Sequence, residues 1–410
     1  MRVIVLGAGI AGVTTAWYLV AAGAEVTLLD RGLEPASETS HANGGHISTQ
    51  SCAPWTGPAG LREFFATRLR RSPAIGYRHA REPARRRWFA QALAASRASR
   101  YRRGCAVIAR LARYSRELFE GLIAEQGIDV ALESDGVLAL YRHERVFARA
   151  CRRLPAGVEI LSPDEVLARE PALAQATLRP VGALAYPGDA TGDCRAFCVA
   201  LAERAAARGL RFLYRTTVDG LILESGRCLG VRSDGGDLRA DAVVVALGAW
   251  SANFLRPCGL RLPIVALRGY TLTSPIAAGA VVPGRFHDVE RHIVGARLGG
   301  SFRAAGMADF AGFDATIAAA RVARLEQVVR EWYPALSRTA IERWSCLRPI
   351  TPDGAPILGA SPIAGLWLNT GCGPYGWTLG CGAGKLVADL LLESSPAIPL
   401  DGMSAGRYGS

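Results

Sequence analysis

Val3-Ile4-Val5-Leu6-Gly7-Ala8-Gly9-Ile10-Ala11-Gly12 opens the chain, and its reading decides the fold. Val3 to Leu6 is a continuous apolar run, as expected of a parallel strand covered on both faces. Three glycines follow at G-x-G-x-x-G spacing, and Ile10 to Ala22 reads as a helix that Gly23 breaks. Glu25 to Leu29 then makes a second strand, ending in Asp30. Each glycine has a physical task. Gly7 permits the tight turn, Gly9 lets backbone approach a pyrophosphate, and Gly12 lets helix and strand pack closely. The helix start at Ile10 and Ala11 offers unpaired N–H groups and a partial positive charge to that pyrophosphate. Asp30, followed by Arg31, is placed to accept hydrogen bonds from a ribose hydroxyl. The glycine pattern alone is weak, but strand, helix, second strand and terminal acid in register define a dinucleotide site. NAD and FAD share this fingerprint.

A chain of 410 residues suffices for two domains with their own cores. Half the residues are hydrophobic and 20% are charged, which is ordinary for a globular protein. The net charge of +12 is local: residues 61 to 116 hold sixteen Arg against Glu63 and Glu82, and the remainder is slightly acidic. Within that segment, Arg85-Arg86-Arg87-Trp88-Phe89 and Arg100-Tyr101-Arg102-Arg103 mix cations with aromatics. A solvated helix face is the plainest reading, adsorption to an anionic membrane surface the next, and nucleic-acid binding the last. The ten Cys lack metal-ligand spacing and read as scattered reduced thiols of a cytosolic protein, so no metal is expected. Val3 to Val20 is uncharged and nearly long enough to span a membrane. Its glycines and the strand that follows mark it instead as the buried start of a nucleotide-binding domain, with no signal peptide.

Farther along, Val243 to Ala246 reads as another buried strand, ended by Gly248, and a Gly-rich turn from Gly371 to Gly376 leads into an apolar helix from about Trp377 to Leu392. Residues 51 to 189 lack the strand-turn-helix rhythm. They read as helices over Leu61–Leu69 and Arg85–Gly127, followed by short strands such as Gly136–Tyr141.

After Asp30, the stretch Glu38-Thr39-Ser40-His41-Ala42-Asn43-Gly44-Gly45-His46-Ile47-Ser48 resembles the D-amino-acid dehydrogenase group of FAD amine oxidoreductases, relatives of glycine oxidase, D-amino-acid oxidase and sarcosine oxidase. The resemblance recurs in order at Thr191 to Cys194, Val243 to Gly248, Leu347 to Gly354 and Asn369 to Thr378. It implies FAD rather than NAD. It also implies an α/β architecture: a Rossmann-type FAD-binding domain (1–50, 190–253 and 341–396) plus an α+β substrate domain with a mainly antiparallel sheet (51–189 and 254–340). The resemblance places Thr39, Ser40 and Asn43 to Gly45 near the flavin side of the cofactor, the Val218 backbone on the adenine, and the Ala246 to Gly248 turn over the nucleotide. Gly371, Gly373, Tyr375, Gly376 and Trp377 would shape the flavin end, with Thr378 adding a hydroxyl.

The implied activity is oxidative deamination of a D-amino acid, with hydride leaving the alpha carbon for FAD and the imine hydrolysing to a 2-oxo acid and ammonia. An Arg fork suits a substrate carboxylate, and the family places its carboxylate-binding Arg in the Leu347-Arg348-Pro349 block. His46 departs from the Gln usual in near relatives, whereas D-arginine dehydrogenase carries His beside its substrate; this side chain would hold the amine or a water. Tyr270 is expected to line the substrate pocket. Cys346 lies at the spacing where monomeric sarcosine oxidase binds its flavin covalently; the alternative is a buried strand thiol. Cys372 stands where relatives have His. A secondary amino acid of the sarcosine, proline or hydroxyproline type is the nearest rival substrate, and an RNA or carrier-bound substrate held through the Arg-rich segment the more distant one. The electron acceptor is left open between a membrane quinone and dioxygen, and the location expected is the cytoplasm or the cytoplasmic face of a membrane.

Overall fold

The computed structural model describes residues 1–58, 60–61, 75–77, 83–152, 154–281, 284–336 and 341–408. The opening motif folds as its sequence demands: strand Arg2–Leu6, helix Ile10–Ala21 and strand Glu25–Leu29. These join a six-stranded sheet in the order Ile357–Ala360, Leu366–Thr370, Ala242–Val245, Arg2–Leu6, Glu25–Leu29, Arg211–Leu213. Every pairing is parallel except that of the edge strand Ile357–Ala360. The all-apolar strands Val3–Leu6 and Ala242–Val245 lie at its centre, buried on both faces as such runs require.

One face of this sheet carries the helix Ile10–Ala21 packed against the C-terminal helix Gly376–Leu391. Glycines allow that close crossing. A Cβ at Gly380 would lie 2.4 Å from Ile10 Cγ1, and one at Gly384 would lie 2.5 Å from Thr14 Oγ1. The gap is closed by a hydrogen bond from Thr14 Oγ1 to the Gly380 carbonyl, 2.9 Å.

A larger sheet has its strands in the order Glu342–Ile350, Val265–Pro275, Ser301–Phe310, Ile293–Leu298, Phe286–Asp288, Val137–Tyr141, Gly182–Tyr186, Glu159–Leu161, with Ile75–Tyr77 beside Ser301–Phe310. It is mainly antiparallel. The helix Ala319–Trp332 covers one face, burying Val322, Leu325 and Trp332 against Tyr270, Leu272 and Phe302. The other face fronts the site. The strand Glu342–Ile350, which carries Arg348, hydrogen-bonds within this sheet and not within the Rossmann-type one.

One expectation needs correction and another is not tested. The helix expected over Arg85–Gly127 is two helices, Pro83–Ala95 and Ala98–Gln126. At the break, Ser96 Oγ donates to the Leu93 carbonyl and Arg97 takes an extended backbone (ψ 138°). The helix expected over Leu61–Leu69 falls, beyond Leu61, outside the described residues.

Candidate active site

A cavity of about 560 Å³ runs from the glycine turn of the first strand to Arg348 on the larger sheet. At its nucleotide end lie Gly7, Gly9, Ile10, Ala11, Asp30 and Arg31. Gly7 has φ +102°, and a Cβ there would sit 2.7 Å from the Ala246 carbonyl, so only glycine fits. Gly12 does not reach the cavity. Its missing side chain leaves room for the Gly7 carbonyl, which a Cβ would meet at 1.8 Å. Asp30 accepts from Ala8 N and Gly32 N, both at 2.6 Å, one on each oxygen. Each oxygen keeps a lone pair for a ribose hydroxyl. Arg31 pairs with Glu38 and lies over the Trp250 ring, 4.4 Å from its centroid.

The chain then forms a roof. Ser40 Oγ accepts from Ile10 N at 3.0 Å, and Thr39 Oγ1 donates to the Leu347 carbonyl at 3.0 Å. Asn43 Oδ1 accepts from Gly45 N at 2.9 Å, closing a tight turn. Gly44 must be small because Val294 Cγ2 would lie 2.7 Å from a Cβ. Val218, Ala246 and Gly248 border the nucleotide end. Gly371, Gly373, Tyr375, Gly376 and Trp377 border the other. Tyr375 Oη donates to the Ala53 carbonyl and accepts from Ala53 N, tethering the loop that carries Trp55. Thr378 does not line the cavity; its hydroxyl accepts from Ser48 N at 3.0 Å and pins the short strand His46–Ile47.

The wall facing this roof is one row of directly paired residues, Thr271, Ala305, Val294, His287 and Ala139, which crosses five strands of the larger sheet. Paired residues project to the same side, and all five line the cavity. Tyr270 therefore projects the other way. It is fully buried, and its hydroxyl donates to Asp309 Oδ2 at 2.8 Å. The pocket position belongs to Thr271, whose hydroxyl is buried without a hydrogen-bond partner among the described residues.

Arg348 and Cys346 share the cavity side of their strand. Gly269 makes room for the guanidinium, since a Cβ there would lie 2.3 Å from Nη2. Nη1 donates to the Met307 carbonyl at 2.9 Å, and the Trp55 ring centroid lies 5.4 Å from Cζ. Met307 sits at a β-bulge with φ +60°, a backbone turn that presents this carbonyl. Burial lowers the Arg348 pKa, yet a guanidinium stays charged at neutral pH. Among the described residues no carboxylate pairs with it. Burial also raises the pKa of the Cys346 thiol, against an opposing effect of Arg348, and pushes Cys372, also on the wall, up to about 12.

His46 lines the cavity with Nε2 3.1 Å from the Gly295 carbonyl. A carbonyl only accepts, so Nε2 carries the proton and Nδ1 keeps a lone pair. Burial lowers its pKa, leaving the ring neutral at pH 7. His287 and His292 also line the cavity, and no motif in the sequence announces them.

These residues fit FAD. The helix beginning at Ile10 has no acidic residue in its first turn to oppose a diphosphate. Asn369 Oδ1 and Trp377 Nε1, both on wall residues, are buried without hydrogen-bond partners among the described residues, as expected where a ligand supplies them.

The fold and site define a flavoprotein oxidoreductase. The chain belongs to the FAD dependent oxidoreductase family (DAO), whose model matches residues 2–390. Among solved structures it is similar to glycine oxidase from Geobacillus kaustophilus, with 25% identity, 99% of each chain covered and a TM-score of 0.78. It is also similar to iminodiacetate oxidase from Chelativorans sp. BNC1, with 24% identity, 98% of each chain covered and a TM-score of 0.72. L-proline dehydrogenase from P.horikoshii matches at 18% identity over 100% of this chain and 97% of that one, with a TM-score of 0.75. The chemistry is FAD-dependent oxidation of an amino acid or amine.

Proposed function

We propose that the protein oxidises a free D-amino acid at its alpha carbon, giving an imine that hydrolyses to a 2-oxo acid and ammonia. The observation carrying this reading is Arg348. It is a buried cation held by Met307 over Gly269, without a carboxylate partner among the described residues, in the same cavity as the dinucleotide cradle. FAD, when bound, takes up the two electrons released at the alpha carbon.

The remaining work falls to side chains. Arg348 fixes the substrate carboxylate through two parallel, charge-assisted hydrogen bonds. His46, neutral and with Nδ1 unprotonated, accepts a hydrogen bond from an N–H of the substrate amine and so orients it. Thr271 offers a hydroxyl from the wall. Trp55 and the Tyr375 tether narrow the cavity near Arg348. We further propose that the smaller sheet with its helices holds FAD and the larger sheet the substrate. The strand Glu342–Ile350 then belongs to the substrate unit, so the boundary expected at 341 moves to about 351.

A second reading, oxidation of a secondary amino acid, draws support from the names of the similar structures, L-proline dehydrogenase and iminodiacetate oxidase. Anaerobic mixing with D- and L-amino acids, sarcosine and proline, following loss of flavin colour, separates the two. Among the described residues no helix is long and apolar enough to cross a membrane. The exposed Arg86, Arg87, Arg97, Arg100, Arg102 and Arg103 on or beside the two helices Pro83–Ala95 and Ala98–Gln126 suit contact with an anionic membrane surface, where a quinone would accept the electrons.

A further inference from the structure

The loop that carries Trp55 belongs to neither sheet, yet it reaches Arg348. Trp55 lines the cavity with its ring centroid 5.4 Å from Arg348 Cζ, and it is 38% exposed. The ring therefore stands between the guanidinium and solvent. An aromatic face over a guanidinium leaves the N–H edges free for a carboxylate and keeps water away from the ion pair. The loop is held close on both sides of Trp55. Tyr375 Oη donates to the Ala53 carbonyl, and a Cβ at Gly57 would meet the Tyr101 ring at 2.5 Å.

Pro54, the residue before Trp55, is seated between two backbones. A Cβ at Gly354 would lie 2.9 Å from Pro54 Cβ, and one at Gly104 would lie 3.2 Å from Pro54 Cγ and 2.9 Å from the Asp353 carbonyl. Gly354 closes the turn that follows the strand Glu342–Ile350, and its φ of +76° also calls for glycine. The C-terminal segment fastens this turn. Asp353 Oδ2 accepts from Arg407 Nε at 2.9 Å, and Oδ1 accepts from Arg407 Nη2 at 3.2 Å and from Tyr408 Oη. Arg407 Nη2 also donates to the Ala355 carbonyl at 2.7 Å. The pair is mostly covered, its side chains being 13% and 24% exposed, unlike a solvated surface pair. The segment has anchors of its own. Met403 is buried, its carbonyl accepts from Leu358 N at 2.9 Å, and the Asp401 carbonyl accepts from Arg110 Nη2 at 3.0 Å.

We infer that Arg407 and Tyr408 are positioning residues for the substrate carboxylate: they fix the turn 351–354, the turn seats Pro54, and Pro54 sets Trp55 over Arg348. This rests on the reading of Arg348 as the carboxylate anchor. Neither Arg407 nor Tyr408 lines the cavity, so both act through the loop. With the Asp353 carboxylate unfastened, Pro54 loses its fixed seat and the Trp55 ring no longer covers the guanidinium. Water then reaches the ion pair, and the charge-assisted hydrogen bonds weaken in the higher dielectric. The loss falls on carboxylate binding, because the strap touches nothing at the reacting carbon.

The experiment titrates the flavin absorbance of the FAD-loaded protein with acetate, a carboxylate that is not oxidised, and measures KM and the limiting rate of flavin reduction beside it. Arg407→Met is expected to raise the acetate Kd and the KM by about tenfold, with the limiting rate changed by less than about twofold and FAD retained. Arg407→Lys, which keeps the charge, should recover part of that loss, and the milder Tyr408→Phe should weaken acetate by about two- to threefold. The decisive comparison is Arg407→Met in a Trp55→Ala background, where it should have no further effect, because the ring it positions is gone. Undiminished acetate binding in Arg407→Met, or an equal loss with and without Trp55, overturns the strap while leaving amino-acid oxidation standing. The expected acetate pattern without oxidation of any amino acid supports the strap and overturns the proposed reaction instead.

Discussion

In the proposed reaction Arg348 carries the binding of the substrate carboxylate, because its charge is buried, anchored at one nitrogen and without a carboxylate partner among the described residues. Arg348→Met removes two charge-assisted hydrogen bonds worth about 3–4 kcal/mol together, so kcat/KM should fall by about 10²–10³ while FAD content is retained. Steady-state kinetics beside the flavin spectrum check this, and an unchanged kcat/KM contradicts it. At Cys346 two features of the same strand compete. The thiolate is the nucleophile in any covalent link, and burial raises the thiol's pKa more than Arg348 lowers it. The denatured polypeptide is therefore expected at its unmodified mass, with FAD in the supernatant. A mass increase by one flavin would show that the sarcosine-oxidase arrangement operates here.

At the scale of elements, what the sequence disclosed was local. Gly7, Gly12 and Asp30 lie within thirty residues and act on one another, so spacing alone declared their tasks. Arg348 was legible because a short block marks it. The phase of the strand Val265–Pro275 was not: alternation turns Tyr270 to the helix side and Thr271 to the cavity, and nothing in Gly269-Tyr270-Thr271 says which face is which. His287 and His292 come to line the same cavity as Arg348 only through the order of strands in the larger sheet, a non-local property. The helix Pro163–Arg169 supplies a pH test. At its C-terminal end Glu170 is buried, accepts from Gly284 N at 2.7 Å, and has its pKa raised to about 7, chiefly by burial. For a carboxyl raised from 4.5 the folded form holds the extra proton, so its burial begins to cost stability as pH climbs past 4.5 and the full cost is reached above about 7. Glu170→Gln should melt higher than the parent at alkaline pH, with the gap closing toward pH 4.5. A gap independent of pH would refute this account of Glu170.

Across the whole molecule, two sheets contribute opposite walls of one cavity, the glycine turn after the first strand on one side and Arg348 on the other. The excess positive charge of the chain is gathered in residues 61–116, part of which forms the two arginine-bearing helices. If these meet a membrane, the protein should sediment with anionic vesicles at low salt and leave them at about 0.5 M salt, where screening shortens to a few ångströms. Equal retention on neutral vesicles would refute an electrostatic contact. The central claim, that Arg348 holds a D-amino acid in the cavity that holds FAD, is tested most directly by anaerobic mixing of the yellow protein with paired D- and L-amino acids. The D-enantiomer is expected to bleach the flavin and release one 2-oxo acid per flavin, with the L-enantiomer leaving the spectrum unreduced. A flavin that stays oxidised with every D-amino acid contradicts the account.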